Sequence, residues 1–497
     1  MSPREPSVEP SPPLSAVVVG AGFGGLAAAI ELRRRGVADV VVVERGDDVG
    51  GVWRENTYPG AACDVPSPFY SFSYAPHARW PRRFSRQPAI LDYLRRVAEE
   101  HDVRRLVRFS TAVLAASYDD RTGRWTVALD DGSELVCDVL VSAVGQLSEP
   151  AVPDLPGRED FAGVAFHTAR WRHDVDLTGR RVAVVGTGAS AVQAVPEIAG
   201  TAAHLTVVQR TPPYLLPRPD RAWGPRHHRV FAAVPPVLAA ERLFWYLAVE
   251  ALSVAWAYAR PLAALLRAWS RLSMRRATAA EPGLFEKVWP RYAIGCKRLL
   301  FSDDYLPALA RPDVTLVTGG VDRVEPDGLV LDDGTRHPVD VIVWGTGFAA
   351  ADFLSSLRVT GAGGRDLHEV WRDGAHAHHG LTVPGFPGLL LMYGPNTNTG
   401  GGSIVHFLET QARYLGDYVE ARRRAGAPLD VRAEVERASD ERVQRRLRRS
   451  VWTRCSSWYR TAGGRITTNW PGLGVEYRRT ARFTEADYAP ARSPVAA

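Results

Sequence analysis

The chain's 497 residues are 45% hydrophobic and 23% charged, a globular balance with room for two or three domains. Its net charge of +6 comes from arginines in scattered runs such as Arg33-Arg34-Arg35 and Arg445-Arg446. No basic stripe is interleaved with aromatics, which excludes a nucleic-acid groove and reads as solvated helix faces, with part of the excess suited to an anionic cofactor.

Residues 1–14 are rich in Pro and Ser and are expected as a disordered tail without the apolar run of a signal peptide. The β-branched run Ala16-Val-Val-Val-Gly20 reads as a strand that enters the glycine turn Gly20-Ala-Gly22-Phe23-Gly24-Gly25 and then a helix from Leu26 to Arg35. The next strand, Val40 to Glu44, ends in a carboxylate 24 residues after Gly20, near the ~20-residue offset of an acid that binds a ribose hydroxyl. Glycines let a backbone approach a pyrophosphate, and the helix start offers it free N–H groups. Gly50-Gly51-Val-Trp53 and Tyr58-Pro59-Gly60-Ala-Ala-Cys63-Asp64 follow. Leu129-Asp-Asp-Gly132 reads as a hairpin turned at Asp-Gly, with a strand after Asp138 returning into a sheet.

The unit then recurs. Arg181-Val-Ala-Val-Val leads into Gly186-Thr187-Gly188-Ala-Ser190-Ala191, a helix, and the strand Leu205 to Gln209. Here the second strand runs into Gln209-Arg210-Thr211 instead of a carboxylate. An acid would repel a 2′-phosphate and arginine pairs with one, so this second site suits NADPH. The hairpin recurs as well, 202 residues later, as Leu331-Asp-Asp-Gly334, Asp340-Val-Ile-Val and Gly347. Between the two units lies Phe161-Ala-Gly163-Val-Ala-Phe-His167-Thr-Ala-Arg-Trp171.

A helical insert from about 223 to 290 is divided by Pro235-Pro236 and Pro261 into helices expected to be short. Within it Leu243 to Ala259 is apolar, but its 17 residues fall short of the ~20 of a membrane span, and Glu250 interrupts it. It reads as a buried helix or helical lid, with peripheral membrane contact as the second reading. The segment Gly295-Cys-Lys297-Arg298 follows. Four cysteines, Cys63, Cys137, Cys296 and Cys455, include no C-x-x-C pair, so free thiols in a reducing cytoplasm are expected. His376, His378 and His379 have no Cys or carboxylate at ligand spacing, so no metal is expected.

The pattern Phe161, Gly163, His167, Trp171 resembles the fingerprint of the type I Baeyer–Villiger monooxygenases. These flavoenzymes use NADPH and oxygen to insert an oxygen atom beside a ketone carbonyl. The segments around Gly51-Trp53, Tyr58-Asp64 and Lys297-Arg298 resemble further elements of that family. The resemblance runs from about Val17 to Trp470 and is weakest in the helical insert. Arg172 stands where Pro or Asp is usual, and Gly345 replaces a usual Ala. Trp171 separates the chain from related nitrogen- and sulfur-oxidising flavin monooxygenases, which remain the alternative. A disulfide reductase would need a redox cysteine pair. A non-catalytic membrane-associated protein would rest on Leu243 to Ala259 alone.

The resemblance implies an α/β fold with two Rossmann-like dinucleotide-binding domains, the second inserted in the first. FAD would be served by 15–155 and 348–497, NADPH by 156–222 and 291–347, with 223–290 as the insert. FAD would meet Gly20, Gly22, Phe23, Gly25, Glu44, Gly51, Trp53, Tyr58 and Asp64. NADPH would meet Gly186, Thr187, Gly188, Ser190, Arg210, Thr211 and Lys297. Gly347 would lie on the crossing between domains, Asn396 on a loop near flavin and substrate, and Trp458 on a loop that closes over NADP. Phe161, Gly163, His167 and Trp171 would form a hinge coupling NADP binding to domain position. Arg298, oriented by Asp64, would stabilise charge as a peroxyflavin attacks the ketone, the small-molecule substrate, with O2 as co-substrate.

Overall fold

The computed structural model describes residues 13–258, 260–455, 459–461 and 463–491. Most of the expected N-terminal tail and Trp458 lie outside the described residues.

The first glycine turn belongs to a five-stranded parallel sheet. Its strands run in the order Leu389–Leu391, Val139–Ser142, Ser15–Val19, Asp39–Val43 and Val107–Arg108. Ser15–Val19 is buried at all five positions, which is why it reads as an unbroken β-branched run instead of an alternating one. The helix α1 (Phe23–Arg34) follows the turn and packs against the long helix Ile404–Ala425. Ala27, Ala28 and Ala29 are all buried, so α1 is covered on more than one side. Arg35, just past α1, pairs with Asp417 at 2.9 Å and fastens the two helices.

The second turn belongs to a second five-stranded parallel sheet, ordered Val314–Thr318, His204–Gln209, Arg181–Val185, Val341–Trp344 and Val164–His167. Its helix after the turn is α2 (Ala189–Ile198). All five strands fall between Val139–Ser142 and Leu389–Leu391 of the first sheet, so the second fold is inserted in the first. The two Asp-Gly hairpins are present, Arg124–Leu129 with Glu134–Cys137 and Gly328–Leu331 with Arg336–Pro338. The duplication extends to one hydrogen bond. Asp138 accepts from the Ser15 N–H at 2.9 Å, and Asp340 accepts from the Arg181 N–H at 2.8 Å. In each fold the aspartate before the returning strand holds the first residue of the nucleotide strand in register.

The insert contains α3 (Pro225–Ala233), α4 (Pro235–Ala257) and α5 (Arg260–Ala277). The insert is divided at Pro235-Pro236 and Pro261 as expected, and α3 is short with 9 residues, but α4 has 23 residues and α5 has 18. Pro235, Pro236 and Pro261 all sit in the first turn of a helix, where no N–H is needed and the fixed φ of proline suits the start. The prolines therefore open these helices without cutting them. The expectation of a buried helix is also corrected. Trp245 and Tyr246 pack on the first core, yet Leu243, Phe244 and Leu247 are exposed.

Two of the four thiols are not free. Cys296 and Cys455 form a disulfide across 159 residues, which no local spacing rule detects. Cys63 and Cys137 are free and buried, and burial pushes both thiols well above the ordinary cysteine range.

Candidate active site at the junction of the two folds

Both glycine turns are built alike. Gly20 has φ +101°, and a Cβ there would lie 2.7 Å from the Ala143 carbonyl oxygen. Gly186 has φ +116°, and its Cβ would lie 2.4 Å from the Gly345 carbonyl oxygen. Only glycine fits either place. Gly22 and Gly188 are the N-caps of α1 and α2, and neither makes a side-chain cap, so both helices start with backbone N–H groups open to an anion. A Cβ at Gly188 would meet nothing within 4 Å, so a bulky phosphate can approach. These features fit two dinucleotides.

In the first fold the buried Glu44 accepts from the Ala21 N–H at 2.8 Å and the Gly46 N–H at 2.9 Å. It thereby fixes the turn and stands at the end of the second strand. Gly51, at φ +54°, approaches Gly22 so closely that a Cβ would lie 3.0 Å from its Cα. The Trp53 indole donates to the Tyr70 hydroxyl at 3.1 Å. Phe23 offers the backbone of the helix start, while its ring is core, edge-on to Tyr70 and Phe72.

In the second fold Thr187 Oγ1 donates to the Thr211 carbonyl at 2.8 Å, tying the glycine turn to the loop that carries Arg210. Arg210 is exposed, and among the described residues it makes no ion pair. Lys297 is near enough that the charge of Arg210, added to the larger effect of burial, lowers the lysine's pKa. Two cations close together without a carboxylate form a site that an anion would relieve.

Asp64 and Arg298 come from opposite folds, 234 residues apart, and meet in a two-pronged ion pair. Arg298 Nε donates to Oδ2 at 2.9 Å and Nη2 to Oδ1 at 2.7 Å. The Asp64 side chain is 19% exposed and that of Arg298 41%, so the carboxylate is the more buried partner. The Asp64 charge raises the pKa of Arg298 still further, which keeps it cationic at every working pH. Tyr393 and Tyr459 lie beside the same guanidinium.

The segment carrying Tyr58 does more than line the first turn. Tyr58 and Ala61 pack in the core of the second fold. The Tyr58 hydroxyl donates to Gln193 Oε1 on α2 at 2.9 Å, and Ser190 is also beside it. Burial pushes the phenol up to about 12, so it acts as a neutral donor. Gln193 in turn accepts from the Ala62 N–H at 3.2 Å and donates to the Ala62 carbonyl at 3.0 Å. Sequence reading did not find Gln193. Its only signal is an amide on a helix whose neighbours are small and apolar.

Phe161 to Trp171 runs along the same junction. Val164–His167 is the edge strand beside Val341–Trp344, and a Cβ on Gly163 would lie 2.3 Å from the Asp340 carbonyl oxygen. Phe161 joins the outer core layer around Val324 and Trp344. His167 Nδ1 accepts from the Ala169 N–H at 3.0 Å, and its ring meets Phe348 edge-on at 5.6 Å. Burial pulls its pKa down to about 4, so it is neutral and unsuited to trading protons near neutrality. Trp171 packs edge-on to Phe166 at 5.1 Å. Arg170 pairs with Glu55, and Thr57 bonds His173 at 2.8 Å, so the motif grips the 50–64 segment. Next to it the chain crosses between folds, where Ala151 N–H donates to the Gly347 carbonyl at 2.9 Å.

Asn396 is placed differently from the other expected residues. Its Nδ2 donates to the carbonyls of Ile466 and Asn469 at 2.9 and 3.0 Å, and its Oδ1 accepts from Gln444 at 3.3 Å. The amide fastens the C-terminal segment and does not reach the junction. Tyr393, three residues earlier, does.

A family model described as pyridine nucleotide-disulphide oxidoreductase matches residues 17–220. A Baeyer-Villiger monooxygenase of Streptomyces coelicolor is 44% identical over 95% of this chain and 91% of its own length. The chain belongs to the Baeyer–Villiger monooxygenase family. Among solved structures, an oxidized steroid monooxygenase bound to NADP is 31% identical, with a TM-score of 0.85 over 96% of this chain and 99% of its own. OTEMO in complex with FAD and NADP is 28% identical, with a TM-score of 0.84 over 95% of this chain and 97% of its own. The chain is thus a flavin- and NADPH-dependent monooxygenase with two dinucleotide-binding domains.

Proposed function

We propose that this Baeyer–Villiger monooxygenase converts a ketone to an ester or lactone at the Arg298–Asp64 junction. The observation that carries the reading is the two-pronged pair between residues of opposite folds, 2.7 and 2.9 Å long. FAD held at the first turn and reduced by NADPH would supply activation of O2, one atom of which enters the product while the other leaves as water. Arg298 holds a fixed positive charge where the carbonyl oxygen turns anionic as that atom adds. A preorganised guanidinium stabilises such charge without reorganising. Asp64 orients Arg298 and offsets the cost of placing it at a partly closed site.

Arg210 and Lys297, with Thr211, hold the 2′-phosphate of NADPH, and Gly186, Thr187, Gly188 and Ser190 hold its pyrophosphate. Gly20, Gly22, Gly25, Glu44, Gly51 and Trp53 hold FAD. Tyr58, through Gln193 on α2, makes the flavin segment and the NADPH helix move together. The Phe161–Trp171 motif is the hinge beside the Gly347 crossing. Tyr459 lies beside Arg298. In domain terms, 15–155 with 348–497 serve FAD, 156–222 with 291–347 serve NADPH, and 223–290 is the insert. Nitrogen or sulfur oxygenation is not favoured, because the relatives over the full length are Baeyer–Villiger monooxygenases.

The test is NADPH oxidation followed across cyclic, linear and aryl ketones, sulfides and amines, with products identified by mass. Esters or lactones are expected. Oxygenation of amines or sulfides, with every ketone inert, would overturn the proposal.

A further inference from the structure

We propose that the outer face of the helical insert docks the enzyme onto an anionic lipid surface. The segment from Pro225 to Ala277 holds eight arginines and two glutamates, a net +6 that equals the net charge of the entire chain. Both glutamates turn inward. Glu241 accepts from Arg83 and from the Trp245 indole, each at 2.9 Å, and Glu250 accepts from the Gly474 N–H at 2.9 Å. Arg242 also turns inward, donating to the carbonyls of Pro68 and Ser71 at 2.7 and 2.8 Å. Arg226, Arg229 and Arg276 are exposed, as are Arg267 and Arg271, which lie over the Trp289 ring, and Arg275, which lies over Phe285, and no acidic residue of the segment pairs with any of them.

The insert also exposes apolar side chains at helical spacing. On α4 they are Leu243, Phe244 and Leu247, at 56, 60 and 56% exposure. On α5 they are Leu262, Leu265, Trp269 and Leu272, at 42 to 66%. The two helices pack on one another, so two apolar rows share one unit. A monomer surface rarely leaves this many large apolar side chains together without a partner. Leu, Phe and Trp on one face with arginine around them is the composition of a helix that lies in a lipid interface.

The geometry points to lying on a bilayer, not crossing it. Among the described residues no single helix is long and apolar enough to span, and the one pair that passes by length and composition, α3 with α4, is bent by 102°. Charge decides the occupant. A second copy seated on this face would set the unpaired arginines, Arg226, Arg229 and Arg276, against their own copies with no carboxylate of the segment between them, whereas an anionic surface neutralises them.

The experiment uses the full chain with FAD bound and sediments it with phosphatidylcholine vesicles made with and without phosphatidylglycerol. Binding is expected only with phosphatidylglycerol and should weaken as salt is raised. Leu265→Glu with Trp269→Glu should lower vesicle affinity by about tenfold or more while NADPH oxidation with a small ketone is unchanged. Should that pair fail to fold, Arg226→Glu with Arg229→Glu removes charge alone and should also lower affinity several-fold, roughly in proportion to the arginines lost. No sedimentation with anionic vesicles, or full binding by either variant, would overturn the proposal. So would a concentration-dependent dimer that Leu265→Glu with Trp269→Glu dissolves.

Discussion

The two nucleotide folds of this chain are near copies that part at one place. Each has a parallel sheet, a left-handed glycine pressed against a carbonyl of the crossing strand, a helix capped by glycine, and an aspartate that holds the first strand in register. They differ at the end of the second strand, where the first fold presents the buried Glu44 and the second presents Gln209 and the exposed Arg210. On the proposed assignment, the scaffold sets where a dinucleotide lies and the residue ending the second strand sets which dinucleotide is admitted. Asp64 follows the first glycine turn, Arg298 follows the insert of the second fold, and the two side chains meet between the copies at 2.7 Å.

The largest effect should come from adding a methyl group to each glycine turn in turn. Gly20→Ala places a Cβ against the Ala143 carbonyl and should give a colourless protein that has lost FAD. Gly186→Ala should give a yellow protein whose NADPH reduction of the flavin is nearly abolished. Flavin content and rapid-mixing reduction separate the two. If both variants lost flavin equally, the assignment of one cofactor to each turn would be broken. A smaller effect sharpens the same contrast. Arg210→Ala should raise KM for NADPH by about tenfold or more and leave that for NADH almost unchanged, since a lost charge-assisted pair is worth ~1.5–3 kcal/mol. Equal changes for both coenzymes would remove Arg210 from the 2′-phosphate.

Much of this was legible in the sequence because it is written locally. Gly20 to Glu44 and Gly186 to Arg210 are continuous strand–turn–helix–strand units, and the Asp-Gly hairpins repeat at a fixed offset. The pairing of Asp64 with Arg298 was reached only through family resemblance, because no spacing rule spans 234 residues. The Cys296–Cys455 disulfide was missed for the same reason. Tyr58 read as a flavin residue, and nothing in its own segment shows that its ring belongs to the core of the other fold. In α4 the apolar run was read as buried, because a helix apolar on most sides does not declare which face meets protein. The side chain of Asn396 escaped too, since its partners, Gln444 and the backbone of Ile466 and Asn469, lie 48 to 73 residues away.

In the proposed reaction labour is divided: the two folds would hold the electron-carrying cofactors, and the pair between them would direct oxygen into the ketone. The most direct measurement is therefore the product balance of Arg298→Ala, with NADPH consumed, hydrogen peroxide released and ester or lactone formed counted in one reaction. Flavin reduction by NADPH should persist, while ester or lactone formation falls by about 10²–10³-fold and the oxygen leaves as peroxide, the loss expected when a preorganised charge is removed from an anionic transition state. An Arg298→Ala enzyme that still couples NADPH to ester or lactone at the wild-type rate would contradict the account.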